Sequence, residues 1–306
     1  KEIFLKLCDK ADAIIENMRA GVMERLGLGF ETISGRNEQI VYACVRGFGD
    51  PRTGESPYAH WPSLDAAAQS FGGLVYANDG LVTPAIADIF PGTLAALGLV
   101  SAIHESKTSG KGQFLDVSMY DAMLAFQKSA VAQYSFTGKP NPSGLQKAMT
   151  LYPFDLFPAK DGQVSIAVGQ PHHWDLLCAA MERGDMINDD RSATNTARLK
   201  NVEWVEEQIC AWTSQLTRAE IMAKLDGSLP AGPVQNMSDI FQDEHVAARA
   251  MLDKCNPGGD NPDISLAASP IKFSRSKTSL YQSPPTLGEH NKEVFAEFGI
   301  DLPEDF

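Results

Sequence analysis

The stretch TPAIADIFPGTLAALG sets one carboxylate, Asp88, just ahead of an expected helix. An acid in that place meets the free N–H groups and the positive end of the helix dipole, which favour its ionised form. Gly92, Ala95, Ala96 and Gly98 leave little side-chain bulk on the helix, so another backbone or a long ligand can come close. On the residues alone, capping is the commoner use of such an aspartate. Other catalytic spacings are missing: there is no GxSxG, HExxH or Walker loop, and GFGDPRTG lacks the spacing of a dinucleotide fingerprint. His172 and His173 are adjacent and would point to opposite faces of a strand, so they read as a surface loop pair and no metal site is expected.

The elements that must position Asp88 follow an α/β rhythm. An amphipathic helix is expected over Lys1 to Asp12, then a short AIIE strand and a second helix through GVMERLGL. IVYACVRGFG reads as a buried strand, and GFGDPRTGESP as the loop after it. A helix is expected from Ser63 to Leu74, a second through TLAALGLVSAIHES, a strand at QFLDVSM and a long helix through YDAMLAFQKSAVAQYSF. TGKPNPSG reads as a linker. Beyond it come a GQVSIAVG strand, helices around HWDLLCAAM and NVEWVEEQICAWTSQL, an AGPV turn, a short MSDIF helix, the loop NPGGDNPD, proline-rich coil and a last helix in EHNKEVFAEFGI. The expected domains are 1–138 (large), 139–265 (small) and a 266–306 segment that returns to the large domain.

A chain of 306 residues is long enough for two domains, and 43% hydrophobic with 21% charged residues is ordinary for a globular protein. The net charge of -13, with no basic run, argues against nucleic acid as a partner. No stretch of consecutive apolar residues approaches a membrane span, and the charged opening KEIFLKLCDKAD is unlike a secretory core, so no membrane partner is expected. Five cysteines, scattered, odd in number and without CxxC spacing, fit a reducing compartment, and the cytoplasm is the expected location.

ADAIIENMRAGVMERLGLG followed by IVYACVRGFG resembles the corresponding stretch of class III CoA-transferases of the CaiB/BaiF type, the relatives of formyl-CoA and carnitine CoA-transferases. The likeness runs in order through SLDAAAQSFGG, AIADIFPG, SGKGQFLDVSMYDAML, YPFDLFPAKDGQVSIAV, LPAGPVQNMSDIFQDEHVAARAML and TLGEHNKEVF. The resemblance implies an α/β fold with a large Rossmann-like domain, a smaller α/β domain and an interlocked homodimer. It implies acyl-CoA and a small carboxylic acid as substrates, with no permanently bound cofactor. It places a further strand and helix with CoA contacts ahead of Lys1, so part of the CoA site is expected outside this stretch. Asp88 matches the family's nucleophilic aspartate and Asp65 an acidic position beside it. Asn17 and Met18 match contacts to the adenine or pantetheine, Arg19 and Arg25 contacts to the phosphates, Leu26 the adjoining position, and Met119 a methionine of the CoA channel. Two arginines on one approach suit an anionic ligand, although Glu24 and Arg25 read equally well as a solvated helix face.

Three other readings stand beside the transferase. The α-methylacyl-CoA racemase branch needs a histidine directly before the acid that matches Asp65, where this chain has Leu64; His60 lies four positions too early. A CoA-binding or structural partner without catalysis would bind CoA without acyl exchange, and a module of a larger lyase with CoA-transferase-like domains is a third reading. Among the acids suited to relatives, oxalate, carnitine derivatives, mesaconate, succinate and bile acids are not distinguished. VYANDGLVTP is the expected active-site lid, with Asn78 in it, and His60, Trp61 and residues of the second domain are candidates for selecting the acid.

Overall fold

The computed structural model describes residues 1–140, 143, 150–257, 262–278 and 283–301. The chain divides into two units, one of Lys1–Leu145 with Gly288–Phe306 and the other of Gln146–Leu287. The C-terminal stretch thus joins the first unit from Gly288, where the sequence reading placed its return at 266.

The first unit is a parallel sheet with helices. α1 (Glu2–Cys8) leads to β1 (Ala13–Glu16), and two short helices, α2 (Val22–Arg25) and α3 (Phe30–Ser34), lead to β2 (Val41–Arg46). The expected single helix through GVMERLGL stops at Arg25, and Gly27 follows with φ 66, a left-handed backbone natural to glycine. After β2 come α4 (Asp65–Phe71), α5 (Leu74–Asn78) and α6 (Ile86–Ser109), then β3 (Phe114–Ser118), α7 (Met119–Phe126) and α8 (Lys128–Thr137). Gly72 and Gly73 divide the helix expected over Ser63 to Leu74, and Gln127 divides α7 from α8.

Strand β2 lies between β1 and β3, parallel to both, with Glu16 opposite Cys44 and Arg46 opposite Ser118. Its central place explains the run Val41, Tyr42, Ala43 and Cys44, each 1% exposed or less, because a parallel sheet covered on both faces needs a continuous apolar strand. On one side Leu5, Cys8, Met23, Ile33, Ile40 and Tyr42 form a core; Ala68, Leu74, Ala87, Met119 and Met123 form another. Buried Cys8 and Cys44 have thiols pushed up by burial, Cys44 further by the Asp116 carboxylate beside it.

Helix α6 corrects one expectation. By length and composition it could cross a membrane, although 22% of its apolar window is buried and it packs on β2 and β3. Asp88, Thr93, Ser101 and His104 interrupt the consecutive apolar run, so a scan for unbroken stretches passes over it. Ala87, Pro91, Ala95 and Ala102 turn inward, while Leu97 and Val100 are exposed.

The second unit carries an antiparallel sheet, β4 (Phe154–Ala159), β5 (Gly162–Ala167) and β6 (Ala231–Pro233), in that order. Its helices are α9 (Pro171–Ala180), α10 (Asn195–Lys200), α11 (Val202–Thr213), α12 (Arg218–Leu225), α13 (Met237–Phe241) and α14 (Glu244–Ala248), and β7 (Leu252–Cys255) pairs with β8 (Ile264–Ala267). The expected AGPV turn is therefore a strand, made so by pairing with β5, and β8 occupies part of the expected coil. Tyr152, Phe157, Val164, Ile166, Trp174, Leu177, Ile209 and Ile221 fill the core. In this core burial pushes the Cys178 thiol up to about 12, with the Asp175 charge adding to it. His172 and His173 lie on α9, not in a loop, with ring centroids 4.4 Å apart, and no metal-binding group of three occurs among the described residues. α15 (Asn291–Phe298) belongs to the first unit, where Lys10 Nζ donates to the Phe298 carbonyl at 2.6 Å. The expected linker TGKPNPSG and the loop NPGGDNPD lie partly outside the described residues.

Candidate functional site

In open α/β sheets ligands bind beyond the carboxyl ends of the strands. A cavity of about 830 Å³ lies there in the first unit. Its floor is Ile15 and Glu16 at the end of β1, and Val45, Arg46 and Gly47 at the end of β2. The segment Asn17, Met18, Arg19 and Ala20 forms one wall, and Ala59, Trp61, Pro62, Ser63 and Leu64 another. Asp88 and Gly92 of α6 and Met119 of α7 complete it. Gly92 has open space where a Cβ would stand, so the helix backbone is accessible there.

The 59–64 wall is supported by tilted and edge-on ring contacts: Tyr58 lies 4.9 Å from Trp61 and 5.2 Å from Phe71, and Phe48 5.0 Å from Phe71. Gly47 lets Ser63 lie directly on the backbone, since a Cβ at 47 would collide with the Ser63 side chain. VYANDGLVTP, the expected lid, is not part of this wall. That segment is instead half helix, as α5, and none of its residues lines the cavity. Val82 is fixed by fully buried Gln69, whose amide accepts from Val82 N and donates to Val82 O, both at 2.9 Å.

Asp88 is the third residue of α6, not the residue ahead of it; Ala85 precedes the first turn. Partial burial raises its carboxyl above the usual aspartate range, and the neighbouring Asp65 charge adds to this. Dipole stabilisation is thus offset rather than dominant. Asp65 opens α4 and has both oxygens engaged: Oδ1 accepts from Ala87 N at 2.9 Å and Oδ2 from Gln69 Nε2 at 2.8 Å. It ties α4 to the start of α6 one residue before Asp88 and does not itself line the cavity.

Of the other expected residues, Asn17, Met18, Arg19 and Met119 share the cavity with Asp88. Arg25 and Leu26 end α2 exposed and off the cavity wall, so the two arginines do not share one helical approach: Arg19 lies before the helix. His60 is flanked by lining residues without being one, and Leu64 stands on the wall.

Sequence reasoning missed the charges under the cavity. Arg46 pairs with Glu16 (Nη2 to Oε1, 2.6 Å) and with Asp50, all three almost fully buried. Glu16 Oε2 accepts from Met18 N at 2.5 Å. Asp50 N donates to Asp116 Oδ2 at 2.9 Å, and Arg52 reaches Asp50, Glu24 and Glu31. Arg46 Nε is buried and has no partner among the described residues. The available signal was a charge closing each apolar strand, Glu16 after AII and Arg46 after VYACV.

Fold and site together define a mixed α/β protein that sets Asp88 of α6 on a cavity at the carboxyl ends of its parallel strands. The chain belongs to CoA-transferase family III, whose profile matches residues 1–291, and is a CoA-transferase, a class whose substrates are CoA thioesters. It is 38% identical over 306 residues to the succinyl-CoA:mesaconate CoA-transferase of Haloarcula hispanica, covering 98% of this chain and 77% of that one. It is 31% identical over 308 residues to the acetyl-CoA:oxalate CoA-transferase of Acetobacter aceti, covering 97% and 76%. The crystal structure of a CAIB/BAIF family protein from Brucella suis superposes with a TM-score of 0.82 at 29% identity, covering 97% of this chain and 78% of that one.

Proposed function

We propose that this chain moves CoA from an acyl-CoA donor to a carboxylic acid through covalent intermediates on Asp88. The supporting observation is that Asp88 lines the same cavity as Asn17 to Ala20, in a chain of this family. The Asp88 carboxylate attacks the donor carbonyl carbon; the C–S bond breaks, leaving an aspartyl–acyl anhydride and CoA thiolate. The thiolate attacks the Asp88 carbonyl and expels the donor acid, giving an aspartyl–CoA thioester. The acceptor carboxylate then attacks that carbonyl, CoA thiolate leaves, and it finally attacks the acceptor acyl carbon to release the new thioester and free Asp88. No proton is lost or gained over the cycle, so a carboxylate without a partner base suffices. Arg19 serves the CoA phosphates in this reading, and Trp61 to Leu64 select the acid. A homodimer and a reducing, cytoplasmic setting belong to the same proposal. Succinyl-CoA with mesaconate is the first pair to try, because the relative at 38% identity carries those names.

The test is intact-protein mass spectrometry after mixing with acyl-CoAs and then hydroxylamine, beside Asp88→Ala. An adduct mapped to Asp88 and missing from the variant is expected. α-Proton exchange in deuterated water without any adduct would replace the transferase by the racemase chemistry.

A further inference from the structure

Among the cavity-lining residues, Glu16 alone links a buried ion pair directly to the backbone of the expected CoA segment. It ends β1, and the next four residues, Asn17 to Ala20, all line the cavity. A segment that leaves a strand in irregular backbone has no ladder to hold it. Here the anchor is Met18 N–H, which donates to Glu16 Oε2, while Oε1 accepts from Arg46. Arg46 ends β2 and is itself fixed through Asp50, whose own N–H is held by Asp116 of β3. The ends of β1 and β2 and the middle of β3 are therefore chained, by charged hydrogen bonds, to one N–H of the segment.

We infer that Glu16, locked by Arg46, is a positioning residue that presets the Asn17–Ala20 segment for the CoA moiety of the substrate. The inference rests on the transferase reading for its ligand and adds a residue outside the expected site. Charge-assisted bonds in a dry setting suit this task, because a wall already in place spares the ligand the cost of ordering it. Asp88 stands on another element, α6, and none of its described contacts runs through Glu16. Loss of the lock should therefore weaken CoA binding and leave the chemical step alone.

The experiment measures CoA binding by calorimetry, and KM and kcat for the acyl-CoA, in the wild-type protein, Glu16→Gln and Arg46→Lys. Both variants keep the side-chain volume closely, and Arg46→Lys keeps the charge. Loss of a hydrogen bond to a charged group corresponds to about a tenfold rise in Kd and KM, with kcat within about twofold of wild type. Arg46→Lys should lie between the two proteins. Unchanged Kd and KM in folded variants, with a lower melting temperature as the only effect, would overturn the inference, as would failure of both variants to fold. A wild-type protein that binds no CoA would defeat the transferase reading itself, and a protein that binds CoA and traps at Asp88 with indifferent variants defeats this inference alone.

Discussion

Among the described residues each unit buries one arginine, and the two are used in opposite ways. Arg198 in the second unit is 3% exposed and faces neutral acceptors: Nε donates to the Tyr152 carbonyl at 2.6 Å, Nη1 to the Ser192 carbonyl at 2.8 Å, and its guanidinium lies over the Trp174 ring. Burial pulls its pKa down. Arg46, 5% exposed, also suffers desolvation, but its bonds and charges from Glu16, with Cys44 and Asp50, more than offset that and hold the pKa up. One guanidinium is hydrogen-bonded to carbonyls inside a core, with Asp175 acting on it only as a nearby charge; the other is neutralised twice over at the edge of a cavity. The contrast teaches that a buried charge is informative through its acceptors: carbonyls fasten a fold, whereas carboxylates bring their own desolvation costs and need a reason beyond packing.

Three changes would break or sharpen this contrast. Arg46→Met removes one partner from a buried pair and strands Glu16, so it should cost about 3–5 kcal/mol in denaturant unfolding, with CoA binding lost alongside. Arg198→Met leaves two carbonyls unpaired and should cost about 1–3 kcal/mol, with activity per folded molecule unchanged. If the second change abolished turnover in folded protein, the division of labour between the arginines would be wrong.

The smallest effect concerns Asp88. Its carboxyl is raised by burial and then by Asp65, so folding favours the protonated form. The stability this contributes is fully present below the unfolded pKa of about 4 and is lost as pH rises through the higher folded value. Asp88→Asn escapes the penalty, so its melting temperature should exceed wild type at pH 7 and converge with it on acidification. Solvent screening at this exposed residue keeps the difference small. Thermal scans at pH 3.5 to 7.5 check it, and a variant less stable at pH 7 would remove the argument.

The elements nearest the cavity were legible because their apolar patterns are strong: AIIE, VYACVR and FLDVS gave the parallel strands, and the small-residue stretch after Asp88 gave α6. β4 was hidden by Pro158 within FDLFPA, and β6 is three residues whose strand character comes from its partner. The extent of α6 was misread at its start because Pro91 looks like a boundary, although α6 continues through it and only the Ala87 carbonyl loses its usual helical donor. The linkage of Glu16, Arg46 and Asp50 was not legible, since nothing in their spacing tells that the fold brings them together. Asp65 was visible as an acid near Asp88, but its engagement with Ala87 N and Gln69 depends on where α4 meets α6.

The buried cysteines bear on the fidelity of a reaction that passes sulfur esters from hand to hand. Cys44 lies in the same strand as the cavity floor, yet burial and the Asp116 carboxylate keep its sulfur protonated at neutral pH, as burial does for Cys8 and Cys178. A thiol attacks a thioester only as thiolate. In the proposed cycle these three sulfurs therefore do not compete with the Asp88 carboxylate for the acyl group.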